Sequence, residues 1–350
     1  MKAAVLFELN KPLQIIEIDE IPKLKNGQVL IDVIYTGLCQ SQVMEIFGGR
    51  GEDKYLPHLL GHEAVGRVAD IGPGVSKVEV DDLVVLGWIR GDGMEAPGGI
   101  YSYNGQKINS GGVTTFSEQT IVAENRLVRL PPLMPLKLAV LLGCALPTGT
   151  GLVLNELKPK FKSKIAVVGL GGIGLSALIA LQMFDPDCIV ALDIEEQKLS
   201  LAIELGATHK INLSNKSWMN QMLEVAPNGF DYIIEASGVA SVVSDMFKLV
   251  KDNGGVCITA SHPPEGHKIE IDALNLHKGK RLIGSWGGGS KPDQDIPRIA
   301  KLYHERQLPF DKLISEGYTL ENINNAVYDL KDRKINRALI IVNQELADKY

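Results

Sequence analysis

Cysteine is scarce in this sequence, and an excess of basic charge is missing altogether. Only 4 of the 350 residues are cysteine, too few for a disulfide framework in so long a chain, so we expect a reduced, cytoplasmic protein. Lys and Arg number 36 against 42 Asp and Glu, a net charge of −6, which removes the electrostatic footprint that nucleic acid or an anionic membrane requires. We therefore expect a small-molecule partner, with no nucleic acid and no membrane.

Long apolar runs are also rare. The one stretch with the composition of a membrane span, residues 165–181, is interrupted by four closely spaced glycines. These glycines divide it into a short strand and a short helix, so we do not expect a membrane helix. The first five residues have the pattern of a strand and lack the apolar region of a signal peptide.

What remains is an ordinary globular composition, 45% hydrophobic and 22% charged, in a chain long enough for two domains. From residue 164 onward, strand-like and helix-like segments alternate, which predicts an α/β fold with a doubly wound parallel sheet at residues 146–285. Residues 1–145 instead show short alternating runs separated by Gly and Pro, the pattern of a mainly antiparallel β domain. We assign residues 286–350 back to that first domain, which makes the parallel-sheet domain an insertion.

A glycine-rich fingerprint stands between the first predicted parallel strand and its helix. Its tight turn allows a pyrophosphate to approach the backbone at the N-terminus of the helix. Asp193 ends the next strand, where an acid accepts hydrogen bonds from a ribose 2′-hydroxyl and repels a 2′-phosphate. The pattern predicts NAD rather than NADP, the alternative being a structural turn with a solvated acid. The fingerprint residues are Gly169, Gly171, Gly172, Ile173 and Gly174.

Four potential metal ligands occur in the first domain: Cys39, the pair His62 and Glu63, and Cys144. Individually each has a common alternative, because a buried cysteine usually belongs to a core and a single histidine is usually structural. Together, two cysteines and one histidine form a known ligand set for a catalytic zinc with one open position. The other two cysteines, at positions 188 and 257, lie in predicted buried strands and are expected to be core residues.

These motifs, in this order, resemble the zinc-dependent medium-chain alcohol dehydrogenases over essentially the whole chain. The resemblance rests on residues 61–66, 115–118, 141–149 and 169–174 and on the segment around Cys39. It implies a GroES-like catalytic domain interrupted by a Rossmann domain, which agrees with the division drawn from the pattern. It also implies hydride transfer between an alcohol, aldehyde or ketone and NAD(H).

The resemblance further implies a role for each matching residue. Cys39, His62 and Cys144 correspond to the zinc ligands, and Glu63 to a carboxylate that can approach the metal. Ser41 corresponds to the hydroxyl that hydrogen-bonds the substrate oxygen, and Trp88 to an aromatic of the substrate pocket, although an aromatic that covers a strand end is an almost equal alternative. The cofactor contacts implied beyond the fingerprint are Thr148, Asp193, Lys198 and Arg337.

The sequence departs from the family pattern in three places. Gln42 stands where an Asp commonly supports the zinc histidine, and Met44 where some members have a proton-passing His. Residues 88–112 contain none of the cysteines that bind a structural zinc in many relatives, so we expect one catalytic zinc per chain and no structural zinc. A homo-oligomer, preferably a dimer formed at the edge of the parallel sheet, is expected from the resemblance alone.

Two other functions remain open at this stage. One is a polyol or sugar dehydrogenase acting on a secondary hydroxyl, because such relatives also lack the structural-zinc cysteines. The other is a non-catalytic descendant that only binds, against which the intact set of Cys39, Ser41, His62 and Cys144 argues.

Overall fold

The computed structural model describes all 350 residues and divides them into two compact units. Unit 1 consists of Met1–Cys144 and Lys291–Tyr350, and unit 2 of Ala145–Ser290. The chain returns to unit 1 slightly later than residue 286, our sequence-based boundary. The delay has a physical cause: Gly288 packs so closely on the first helix of unit 2 that an added Cβ would lie 2.3 Å from the carbonyl oxygen of Thr148.

The first segment of unit 1 is mainly β-structure. Its helices, α1 and α2, are short, and a 3-10 turn at Val140–Gly143 follows the second of them. The strands and helices are β1 (Lys2–Leu6), β2 (Gln14–Glu17), β3 (Gln28–Leu38), α1 (Gln40–Ile46), β4 (His58–Leu59), β5 (Glu63–Ile71), β6 (Leu83–Gly87), β7 (Tyr101–Tyr103), β8 (Gln106–Ile108), β9 (Gln119–Ala123), β10 (Leu127–Arg129) and α2 (Leu136–Ala139).

Unit 2 alternates strands and helices. A π-helical turn at Leu152–Leu157 follows its first helix. The elements are α3 (Ala145–Gly151), β11 (Lys164–Val168), α4 (Gly172–Leu181), β12 (Cys188–Asp193), α5 (Glu196–Glu204), β13 (His209–Asn212), α6 (Trp218–Val225), β14 (Tyr232–Glu235), α7 (Ala240–Leu249), β15 (Val256–Thr259), α8 (Ala273–His277) and β16 (Arg281–Gly284).

The strands of unit 2 form one six-stranded, all-parallel sheet in the order β13-β12-β11-β14-β15-β16. β11 and β12 are interior strands, paired on both sides, and they are buried along their length apart from the half-buried Lys164, as strands covered on both faces must be. The predicted Rossmann-type parallel sheet is confirmed. β13, which the sequence pattern did not reveal, is short and pairs at one edge; Cys188 and Cys257 are buried in β12 and β15.

The C-terminal segment completes unit 1 with α9 (Pro292–Arg306), β17 (Ser315–Thr319), α10 (Ile323–Lys331), β18 (Ala338–Ile341) and α11 (Gln344–Lys349). Its two strands join the larger sheet of the unit in the order β10-β6-β5-β3-β18-β17, with β9 also paired to β3. β18 pairs antiparallel with β3 and parallel with β17. A smaller antiparallel sheet has the order β2-β1-β4. The predicted antiparallel, GroES-like architecture is confirmed.

No single helix is long and apolar enough to cross a membrane, although the consecutive helical segments Leu136–Gly143 and Ala145–Leu157 meet the length and composition criteria when they are taken together.

Candidate active site

Three predicted metal ligands meet in unit 1. Cys39 lies between β3 and α1, His62 immediately precedes β5, and Cys144 follows the 3-10 turn at Val140–Gly143. One ligand atom from each residue lies within 4.8 Å of the other two, and His62 Nε2 is 3.3 Å from Cys144 Sγ. Segments that are far apart in the chain therefore deliver two sulfur atoms and one nitrogen to one point.

Glycine backbone permits this close assembly. A Cβ added to Gly143 would lie 2.3 Å from the carbonyl oxygen of Leu86 and 2.8 Å from Cβ of Glu63. A Cβ added to Gly37 would lie 2.6 Å from Oε1 of Glu63. Gly143, directly before Cys144, and Gly37, two residues before Cys39, thus pack directly against the first residue of β5, which follows His62. A side chain at either glycine would push the ligands apart.

A buried ion pair adjoins the three ligands. Arg337 Nη1 donates a hydrogen bond of 2.7 Å to Glu63 Oε1, and both side chains are almost fully buried. Burial raises the pKa of Glu63, although the Arg337 charge opposes the rise. Burial alone would lower the pKa of Arg337, but the negative charges of Cys39 and Glu63 raise it instead. Glu63 Oε2 remains buried without a hydrogen-bond partner, which leaves one carboxylate oxygen available to the site.

The donor chemistry fits zinc. A hydrogen bond from Cys144 lowers the pKa of Cys39 well below its usual value, and the charge of Arg337 acts in the same direction. A thiolate, not a thiol, is the metal ligand, so the site already favours one of the two thiolates that zinc requires. Two cysteines and one histidine are three protein ligands, the number that leaves an open fourth position for a substrate oxygen on zinc.

Ser41 and Gln42 follow Cys39 in the first turn of α1. The Ser41 hydroxyl is buried and has no hydrogen-bond partner, as expected for a group that awaits a polar ligand. The Gln42 side chain contacts two residues: its Oε1 accepts a hydrogen bond of 3.1 Å from the Cys39 backbone N–H, and its Nε2 lies against His62 Nδ1. The sequence identified Gln42 as a departure but gave no sign of this double contact.

Trp88 is half-buried directly after β6. Gly87 pairs with Glu63 in the β5–β6 ladder, so Trp88 directly follows the residue that faces Glu63. Its carbonyl oxygen accepts a hydrogen bond from Arg126 Nη1. The glycine-rich segment after it contains the β7–β8 hairpin.

The glycine fingerprint of unit 2 forms the turn between β11 and α4. Gly169 has φ of +82°, and an added Cβ would lie 2.5 Å from the Ser237 backbone nitrogen. A Cβ on Gly174 would lie 2.0 Å from the carbonyl oxygen of Gly169, whereas one on Gly171 would meet nothing within 4 Å. The first and last glycines are therefore required by packing within the protein, while the space at Gly171 is open to a ligand at the N-terminus of α4.

Asp193 lies at the carboxyl end of β12, next to this turn. Its Oδ2 accepts a hydrogen bond of 2.7 Å from the Leu170 backbone, and its Oδ1 accepts two from the backbone of Ile194 and Glu195. Asp193 thus braces the fingerprint turn. Lys198 lies in the first turn of α5, which follows.

Thr148 lies in α3, which packs on α4 so tightly that a Cβ on Gly149 would lie 2.3 Å from the Ile173 carbonyl oxygen. The Thr148 hydroxyl is buried without a partner. Arg337, for which the resemblance implied a cofactor contact, has its guanidinium paired with Glu63 in unit 1. Sequence reasoning missed this pair, since 274 residues separate its members.

The structure also brings together a second group of possible metal ligands: Glu45, Asp53 and His58. His58 Nε2 lies 2.7 Å from Asp53 Oδ2, and His58 Nδ1 lies 2.9 Å from the Leu59 carbonyl oxygen. A pair of carboxylates beside a histidine also forms an ordinary ion-pair cluster, and nothing in the local sequence pattern distinguishes it from a loop.

Comparison with known proteins agrees with both units. Residues 25–132 match the alcohol dehydrogenase GroES-like domain, and residues 172–305 match the zinc-binding dehydrogenase domain. An S-(hydroxymethyl)glutathione dehydrogenase of Synechocystis is 30% identical, with 97% of this chain and 99% of the relative covered.

Solved structures are similar over the same length. Benzyl alcohol dehydrogenase from Acinetobacter calcoaceticus has a TM-score of 0.86 at 26% identity, covering 98% of this chain and 99% of that one. The 2R,3R-butanediol dehydrogenase from Bacillus subtilis has a TM-score of 0.77 at 25% identity, with the same coverage.

Proposed function

This chain belongs to the zinc-dependent alcohol dehydrogenase family and is an oxidoreductase acting on CH–OH groups, and from that premise we propose that it transfers hydride between a small alcohol, aldehyde or ketone and NAD(H). One observation carries the proposal. Cys39, His62 and Cys144 bring two sulfur atoms and one nitrogen within 4.8 Å of one another, the donor set of a zinc site that keeps one position open for substrate.

The residues of unit 1 divide the work at the substrate oxygen. We propose that Cys39, His62 and Cys144 hold zinc. When bound, zinc supplies a Lewis acid that polarises the substrate oxygen, and NAD supplies the hydride acceptor. The unpartnered Ser41 hydroxyl accepts the proton of the substrate hydroxyl. Because Met44 carries no group that transfers protons, Ser41 gives up its own hydroxyl proton as it accepts one, and the relay ends at the ribose and water.

The remaining residues of unit 1 set charge and shape. Glu63 offers its unpartnered Oε2 towards the site, while Arg337 neutralises the negative charge that two thiolates and a carboxylate place in a buried region. Trp88 supplies an apolar wall to the substrate pocket.

The residues of unit 2 bind the dinucleotide. The backbone N–H groups at the start of α4 face the pyrophosphate at the open position of Gly171, because the first N–H groups of a helix have no partner within it. Asp193 accepts hydrogen bonds from the hydroxyls of the adenosine ribose, and Lys198 also contacts this ribose. The Thr148 hydroxyl, which has no partner in the protein, binds the nicotinamide. Residues 1–145 with 286–350 serve as the catalytic domain and residues 146–285 as the cofactor domain.

A panel of primary alcohols, secondary alcohols, polyols and aldehydes, followed by NADH absorbance, tests the proposal. Turnover with NAD that disappears in Cys39→Ser and on removal of zinc is the expected result. Turnover that survives both treatments would show that the reaction does not use this site.

A polyol or sugar dehydrogenase is the second candidate, and the similarity to a butanediol dehydrogenase over 98% of the chain favours it. That relative's name specifies a diol with secondary hydroxyls. The same panel separates the two candidates: kcat/KM higher for diols and polyols than for primary alcohols of equal carbon number supports the second.

We propose one zinc per chain, because residues 88–112 lack cysteine and only the cluster at Cys39 combines sulfur with nitrogen donors. Elemental analysis of carefully prepared protein tests the stoichiometry. Two zinc ions per chain would contradict it and would direct attention to Glu45, Asp53 and His58.

We also propose a cytoplasmic homo-oligomer, with a dimer favoured. Thiolate ligands persist in reducing surroundings, and all four cysteines are free. β16 is an edge strand of the parallel sheet, and exposed apolar side chains at Leu274, Leu276 and Trp286 precede and follow it. Unpaired strand edges readily pair with a second copy. Sedimentation equilibrium of the wild type and of Ile283→Pro tests this arrangement, the variant being expected to dissociate.

A further inference from the structure

The Gln42 side chain bridges two nitrogen atoms, the backbone nitrogen of Cys39 and Nδ1 of His62, both of which would be hydrogen-bond donors when zinc is bound. It is 3% exposed and lies at the third position of α1, from which it reaches back to Cys39 and across to His62. The Cys39 backbone N–H is a donor whatever the state of the site. Its contact at 3.1 Å therefore assigns the oxygen of the Gln42 amide to Cys39 and the amino group to His62.

This orientation fixes the tautomer of His62 in the protein without metal. The Gln42 amino group donates, so His62 Nδ1 must accept with its lone pair, and the single proton of the neutral ring lies on Nε2. Nε2 is the atom that faces Cys144 Sγ at 3.3 Å, and its N–H has that sulfur as an acceptor. The Cys39 N–H, the Gln42 N–H that faces His62 and the His62 Nε2–H therefore each have an acceptor.

Zinc requires the opposite tautomer. Nε2 can ligate only with a lone pair, so the proton must move to Nδ1, where it meets the amino group of Gln42 and two donors face each other. Rotating the amide by half a turn gives Nδ1–H an acceptor but places the amino group against the Cys39 N–H. An amide has one acceptor end and one donor end, so one buried donor remains unsatisfied in either orientation.

A carboxylate at the same place would avoid the conflict, because its two oxygens accept from both N–H groups at once. We propose that Gln42 is a positioning residue that stabilises the wrong His62 tautomer for zinc, so that this site binds zinc more weakly than the same site with a carboxylate at position 42. The inference rests on the proposed function, since it takes Cys39, His62 and Cys144 as the zinc ligands.

The first test is spectroscopic and needs no variant beyond one for assignment. Two-bond proton–nitrogen correlation spectra of imidazole-labelled protein report which ring nitrogen carries the proton, and His62→Gln identifies the His62 signals. We expect a proton on Nε2 in the zinc-free wild type and on Nδ1 after zinc is added. A proton on Nδ1 in the zinc-free wild type would overturn the proposal.

The second test is zinc affinity by competition with a chromophoric chelator. Gln42→Glu has the same length as the native side chain and is expected to tighten zinc binding by about 10- to 100-fold, the range over which groups that support metal ligands act. Its zinc-free His62 should already carry the proton on Nδ1. Gln40→Glu adds the same charge at the exposed start of α1 and should leave the affinity essentially unchanged.

The outcomes separate this inference from the proposed function. Equal zinc affinity in wild type and Gln42→Glu, or equal tightening by Gln40→Glu, would overturn the role of Gln42 while leaving the zinc site intact. Zinc that binds Cys39→Ser as tightly as the wild type would instead show that the metal lies elsewhere, which contradicts the proposed function itself. If Gln42→Glu fails to fold, the tautomer of the wild type still decides the question.

Discussion

The two units assemble their sites in opposite ways. In unit 2, Gly169 of the fingerprint turn and Asp193, which hydrogen-bonds this turn, are 24 residues apart. They lie at the ends of two adjacent strands, β11 and β12. In unit 1, the three ligands stand at positions 39, 62 and 144, and the arginine beside them at position 337. The first site depends on local backbone geometry, whereas the second depends on a completed sheet. Substitutions should therefore damage the two sites differently.

Removing a ligand should have the largest effect and should stay within unit 1. In Cys39→Ser we expect turnover below detection and loss of zinc, because a hydroxyl is a poor substitute for a thiolate on zinc. Binding of NAD, measured by fluorescence titration, should be nearly unchanged. Cys188→Ala is the matched control: Cys188 is buried in β12, so its loss should cost roughly 1 kcal/mol of unfolding free energy and no zinc. Loss of NAD binding together with zinc in Cys39→Ser would contradict the claim that the two sites are independent.

Breaking the buried ion pair should affect stability most. Arg337→Met leaves Glu63 buried without its partner, and a lone buried charge costs about 3–5 kcal/mol of unfolding free energy. Adding Glu63→Gln should restore much of that loss in urea unfolding. The resemblance also implies a pyrophosphate contact for Arg337. If stability is unchanged and only NAD affinity falls, the pair with Glu63 is unimportant and the cofactor role is the correct one.

Two glycines of the fingerprint should separate folding from binding within unit 2. Gly174→Ala places a methyl group against the Gly169 carbonyl oxygen and should destabilise the protein by about 1–3 kcal/mol through overpacking. Gly171→Ala meets no protein atom within 4 Å. It should keep the wild-type melting temperature and weaken NAD on the order of tenfold, about 1.4 kcal/mol. Equal melting losses in both variants would contradict an open ligand space at Gly171.

The last comparison concerns cofactor choice, where we expect a change in selectivity and none in the zinc site. Asp193→Ala removes the charge that repels a 2′-phosphate and should lower the ratio of kcat/KM for NAD to that for NADP about tenfold, or 1.4 kcal/mol. Part of the loss will come from the turn, since Asp193 also accepts the Leu170 N–H. Asp187→Asn removes a charge just before the opposite end of β12 and should leave the ratio unchanged. A similar shift in both variants would assign the effect to net charge.

The sequence predicted the local site better than the distributed one. Gly169, Gly174 and Asp193 could be interpreted because strand, turn, helix and acid follow one another within one stretch of chain. The proposed zinc ligands could be grouped from their residue types alone, and the family resemblance supplied their roles, since nothing local connects position 39 with position 144. The pair of Arg337 with Glu63 and the double contact of Gln42 depend on how the sheet brings distant segments together, and no spacing in the sequence encodes either.

The placement of β18 has a consequence for biosynthesis. This strand lies between β3 and β17 within the larger sheet of unit 1, yet it leaves the ribosome only after the whole of unit 2. Unit 2 is continuous from Ala145 to Ser290 and can fold while translation continues, as domains commonly do. Unit 1 must wait with an open edge at β3 until residues 338–341 emerge. The first strands of unit 1 are therefore translated before unit 2, but their sheet is completed after it.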